Sequence, residues 1–184
     1  MARLAPIDFD ALTPEQREVA DAIRNGPRGG MRGPFEAWLN SPKLATHAQL
    51  LGAHVRFGTD LPRDVSELAI LLTGKHWTAQ FEFWAHARLA HDAGLPEAVI
   101  EAIRTGETPV LERDDLQVCY DVVTEHFAAN RLSSETYARA VDTFGLKGLV
   151  DIIGTVGYYG MVSMTLNIFE VDLPPGETEP LALP

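Results

Sequence analysis

Glu82 and His86 stand one helical turn apart in the stretch HWTAQFEFWAHARLAHDAG, positions 76 to 94. A carboxylate four residues before an imidazole on one helix face can set that imidazole's pKa and tautomer, which is the minimum apparatus for moving a proton. Positions 79, 82, 86, 89 and 93 share a stripe of such a helix. They read Ala79, Glu82, His86, Leu89 and Ala93, an apolar and small-residue setting for the pair. The neighbouring stripes hold Phe81, Phe83 and Trp84, which leaves mainly Arg88 and Asp92 for water. Burial makes charge expensive unless it is paired, so Glu82 and His86 are expected to tune each other's pKa values. The same spacing also suits a structural i,i+4 contact worth about 0.3 kcal/mol. Both readings stand at this level.

A third group enters through spacing. Glu67 lies nineteen residues before His86, about 28 Å away along one continuous helix. The two meet only if the chain turns back between them, and TGKHWT offers the break. Gly74 is expected to end one helix and Thr78 to cap the next. In such a hairpin Glu67, Glu82 and His86 converge. The second helix then brings its unpaired N-terminal N–H groups nearby, suited to a substrate carboxylate or oxyanion.

Other side chains are candidates for substrate contact. His76 and Trp77 sit at the helix break, where they can face a pocket, although a histidine there also serves as a cap or surface group. Tyr158 and Tyr159 can hydrogen-bond a substrate or simply pack. Arg56 and Arg32 can grip a carboxylate bidentately. His47, His54, His91 and His126 show no ligand spacing with one another. A divalent ion on Glu67, Glu82 and His86 is chemically open. Metal-free acid–base work is the preferred reading, because no third histidine falls into place.

The elements that must position these residues read as helices with short breaks. TPEQREVADAIRN opens with a Thr cap and Pro at the first helical position. GPRGGMRGP is a Gly/Pro loop with two arginines, long enough for an active-site or interface segment. Helices are expected over PFEAWLN, from Ser41-Pro42 to about Phe57, from Pro62 through RDVSELAILLTGK, and over the quoted stretch as far as Gly94. LPEAVIEAIRTG, ERDDLQVCYDVVTEHFAAN, SSETYARAVDTFG and a glycine-rich apolar helix follow. The chain divides into an N-terminal helix and loop over 1–33, one all-α domain over 34–172, and an extended tail over 173–184.

Composition bounds the function. The 184 residues carry a net charge of −11, with 46% hydrophobic and 22% charged residues. No basic cluster offsets that charge, which argues against nucleic acid and anionic membranes as partners. The lone Cys119 excludes an intrachain disulfide and fits a reducing compartment, and MARLAPIDFD has no apolar h-region. A cytoplasmic protein is expected. IIGTVGYYGMVSMTLNIF is long enough to cross a bilayer, yet Asn167, two threonines and a serine within it favour a buried or interface helix. So much apolar helix surface is expected to be covered in a homo-oligomer, a trimer, a hexamer or a dimer-based form.

ELAILLTGKHWTAQFEFWAHARLAHDAGL, within roughly residues 42 to 110, resembles the core of the carboxymuconolactone decarboxylase family, which includes the alkylhydroperoxidase D-like proteins. VGYYGMVSMTLNIF resembles a C-terminal helix of longer members. The resemblance implies an all-α, alkylhydroperoxidase D-like fold. In the peroxidase branch a Glu precedes a CxxC and then a His. Those places hold Glu67, Ala79, Glu82 and His86 here, so both cysteines are missing. Thiol peroxidase chemistry needs a thiolate to attack and a thiol to resolve, and Ala79 and Glu82 supply neither. The decarboxylase branch is similar in carrying Glu-x-x-x-His. It implies cofactor-free loss of CO₂ from a small carboxylated lactone, with His86 as proton donor, Glu82 setting its pKa, and Glu67 as orienter or relay. A metal-assisted enzyme on the same residues, or a non-catalytic ligand-binding oligomer, are the alternatives.

Overall fold

The computed structural model describes residues 3–27 and 30–183. Arg28 and Gly29 of the Gly/Pro loop lie outside the described residues, as do Met1, Ala2 and Pro184. Among the described residues there is no strand, so the expected all-α class holds. After a 3-10 turn at Phe9–Ala11 come α1 (Pro14–Asn25), α2 (Phe35–Trp38), α3 (Pro42–Phe57), α4 (Arg63–His76), α5 (Gln80–Asp92), α6 (Glu97–Thr105), α7 (Asp114–Ala129) and α8 (Ser134–Ile168).

Local chemistry sets the ends. Thr13 and Gln16 form a reciprocal capping box at the start of α1, with Pro14 in the first turn. The Ser133 hydroxyl accepts from the Thr136 N–H at the start of α8. The two expected C-terminal helices are one long element broken at Gly145, whose φ of 67° and ψ of 171° are non-helical. A residue with a Cβ would resist that backbone.

α4 is the axis of the molecule. Every residue from Asp64 to Gly74 is buried, because α5, α7 and α8 pack around it. Leu68, Leu71 and Leu72 join Phe83, Leu95, Val122 and Ile152 in one core. Ile70 turns to a second core with Trp38, Val55, Tyr158 and Tyr159. A helix buried all round has no solvated face, so its polar side chains need partners inside the fold. Asp64 finds Arg113, Thr73 donates to the Ala69 carbonyl, and Glu67 finds His86.

The turn between α4 and α5 differs from expectation. Gly74 does not end α4, which runs on to His76. The chain reverses through Thr78 at φ 49°, and α5 is capped by Ala79 with no side-chain bond. Gly74 lies instead where α5 crosses, with Glu82 and Phe83 in ordinary contact distance of where its side chain would begin. The C-terminal tail is docked on the fold. Leu181 is buried in the first core, and the Gln80 side chain both donates to its carbonyl and accepts from its N–H. α8 is long and apolar enough to cross a membrane by length and composition, but 67% of its apolar window is buried against the rest of the fold.

Candidate active site

The hairpin of α4 and α5 brings the three expected side chains together. His86 Nδ1 lies 2.6 Å from Glu67 Oε2, and Nε2 lies 3.0 Å from Glu82 Oε1. All three residues are at most 5% exposed. The Tyr159 ring meets the imidazole edge-on, 5.0 Å between centroids.

The two contacts are not equivalent. The Glu67 contact is an aligned hydrogen bond. The Glu82 contact is close in distance, yet Glu82 Oε1 makes no aligned hydrogen bond with any group. We read it as a charge contact, off the N–H direction. Burial alone would lower the His86 pKa, but the charges of Glu82 and Glu67 and their contacts outweigh it and raise it to about 9. At neutral pH the ring is therefore an imidazolium, its Nδ1–H held by Glu67 and its Nε2–H loosely held beside Glu82.

Glu82 and His86 open onto a cleft of about 630 Å³, while Glu67 stands behind them. Arg32, Arg56, Arg88 and Asp92 line this cleft together with Tyr158, Tyr159, Phe81 and Trp84. Gly30, Gly33 and Pro34 of the Gly/Pro loop form part of its wall. Gly33 adopts φ +76°, a backbone conformation that favours glycine, with Phe81 in ordinary contact distance of where a Cβ would stand. Three guanidinium groups outnumber the two carboxylates, Glu82 and Asp92, that line the same cleft, which favours an anion there despite the chain's overall negative charge.

No protein-family model matches the chain, and no curated protein matches it either. The site therefore has to be judged on its own geometry.

Tyr158 and Arg56 reach the cleft, as do Arg32 and Tyr159. His76 and Trp77 do not. His76 lines a separate cavity of about 380 Å³ with Lys75 and Tyr120, stacked flat on Phe127 at 3.9 Å. Its pKa is lowered by partial burial and by neighbouring His126. Trp77 lines a groove beneath the C-terminal tail, and its carbonyl accepts from the Asn167 amide. Thr78, ahead of α5, and Gln80, its first residue, face that same groove, whereas Phe81 lines both the groove and the His86 cleft. Arg88 and Asp92 are exposed, as the helical pattern expects, and stand at the wall of this open cleft.

Among the described residues no group of three or more His, Cys, Asp or Glu side chains is arranged to hold a metal ion. Both imidazole nitrogens of His86 already face carboxylates.

Cys119 is fully buried on α7. Burial, with the charges of Asp115 and Asp64, pushes its thiol up to about 12. A thiol so protonated and enclosed is no nucleophile. Hydroperoxide reduction with a thiol reductant is expected to be absent, and Cys119→Ser to match the parent protein in a coupled peroxidase assay. Robust turnover lost on that substitution would refute this.

Proposed function

We propose that this protein catalyses cofactor-free acid–base chemistry on a small carboxylated ligand, of the kind that decarboxylates or isomerises an unsaturated lactone acid. The resemblance to carboxymuconolactone decarboxylases supplies the substrate class. The observation that carries the chemistry is the buried His86 ring held between two carboxylates, with Nε2 and Glu82 facing a cleft lined by three arginines.

Each residue has a distinct task. Arg56, Arg32 and Arg88 draw in and orient the anion. As the bond to the carboxyl carbon breaks, its electron pair passes into the conjugated lactone carbonyl and CO₂ leaves. The resulting dienolate takes a proton at carbon from His86 Nε2, which leaves the ring neutral until solvent returns a proton. Glu67 holds the opposite ring nitrogen, fixing the ring's orientation throughout. Glu82 keeps the imidazolium charged before the step. Tyr159 walls the ring from bulk water.

The test is a panel of carboxylated five-membered lactones and related ring-cleavage acids, incubated in D₂O and followed by NMR. CO₂ release, or a shifted double bond, with one deuterium at the quenched carbon is expected. Arg56→Ala should raise KM roughly ten- to hundredfold with a smaller change in kcat, the scale of one charge-assisted hydrogen bond. Binding of such acids without conversion would favour the non-catalytic reading, and neither binding nor conversion across the panel would end the proposal.

A further inference from the structure

Beyond its break at Gly145, α8 carries an uncovered stripe. Leu146, Val150, Ile153, Gly157, Met164 and Ile168 are exposed there, and Met161 is half-buried among them. At 3.6 residues per turn they all fall within about 40° of Gly157. Between Gly148 and Leu166 every exposed residue of the helix is apolar. Val150 is 69% exposed, Leu146 60% and Ile168 59%, which is costly for a chain on its own.

The stripe is also palindromic. Counting from Gly157, apolar residues stand four positions away on each side (Ile153, Met161), seven away (Val150, Met164) and eleven away (Leu146, Ile168). A two-fold axis at Gly157 therefore sets each apolar side chain of one antiparallel helix against an apolar side chain of its copy. Closed two-fold interfaces require this kind of self-complementarity. Gly157 itself has open space where a Cβ would stand. Its own fold does not need a glycine there, and a glycine inside a helix costs about 1 kcal/mol against alanine. Close approach of a second backbone accounts for it.

The area is sufficient. α3 packs beside α8 through His54 with Asp151 and Val55 against Gly154, and adds the exposed Leu44 and Leu51. Together these side chains offer roughly 700 Å² per copy, or about 1,400 Å² in a pair, within the range of stable specific interfaces. We infer that this face binds a second copy of the chain, α8 against α8, antiparallel and centred on Gly157.

Light scattering at ~10 μM with cysteine scanning in a Cys119→Ser background tests this. The expected mass is twice the 20.2 kDa of one chain, or an even multiple of it. Gly157→Cys should form a cross-linked dimer on mild oxidation. Leu146→Cys alone and Ile168→Cys alone should not, whereas the two substitutions together should. Val150→Glu with Ile153→Glu should halve the mass while leaving the helical circular dichroism intact, since both side chains are exposed. A monomer, an odd-numbered assembly, or efficient cross-linking by Leu146→Cys alone would overturn the inference. A monomer that floats with phosphatidylcholine vesicles would overturn it in favour of a lipid surface.

Discussion

His86→Ala is expected to destabilise the protein by about 3–5 kcal/mol and to remove turnover by about two to four orders of magnitude. The first effect follows from what the substitution leaves behind. Glu67 and Glu82 are buried on either side of the ring, and without it two carboxylates face one cavity with no cation between them. From sequence alone, the same substitution, like Glu82→Ala, is expected to leave folding and assembly nearly intact. Burial of all three residues, with both carboxylates against one ring, argues for the larger cost. A loss of that size is a large share of a typical domain's 5–15 kcal/mol, so rate must be normalised to folded protein. The triple variant Glu67→Met/His86→Leu/Glu82→Met separates the two effects. Replacing a buried ionic cluster by apolar groups of similar volume is often neutral or stabilising. Its urea midpoint should recover to near the parent value while turnover stays absent. A purely structural cluster would instead leave the folded triple variant active.

The second large effect is pH dependence. His86 titrates at 6.5 when unfolded and at about 9 in the native protein. The native state thus holds the proton more tightly. The stabilisation is fully present below pH 6.5 and is lost as pH rises through about 9. Over that window the loss amounts to about 3 kcal/mol. Urea melts at pH 6.0, 7.5 and 9.5 should show it, and the triple variant should lack this component. Turnover should follow the same sign, falling above pH 9 as the imidazolium disappears. Glu82→Gln should move the falling limb to lower pH, because it removes one of the two charges that raise the pKa. A rate that rises through pH 9 would mean that His86 acts as a base, not an acid.

The convergence of Glu67, Glu82 and His86 was legible because it needed only helical periodicity and one chain reversal. The position of the reversal was less so. Glycine is the usual signal for a helix end, but here Thr78 takes the left-handed conformation and Gly74 sits at a helix crossing. Periodicity also told which side chains share a face without telling what covers that face. Arg88 and Asp92 are exposed as the pattern expects, but nothing in α5 announces that the Gly/Pro loop and α8 leave a cleft beside them. His76 and Trp77 are adjacent to the turn in sequence, whereas His86 lies six residues into α5, roughly 9 Å along its axis. That rise places them in other cavities. The docking of Leu181 had no signal, since Leu173, Leu181 and Leu183 in a proline-rich tail follow no helical or strand period that would single it out.

The most direct test of the His86 assignment is ¹⁵N NMR of the ring nitrogens as pH is raised. Both nitrogens should carry protons through pH 8 in the parent protein, with the transition near 9 and a clear downward shift of that transition in Glu82→Gln and Glu67→Gln. A ring already neutral at pH 7, or a transition unmoved by either substitution, would contradict the charged proton donor on which the proposed chemistry depends.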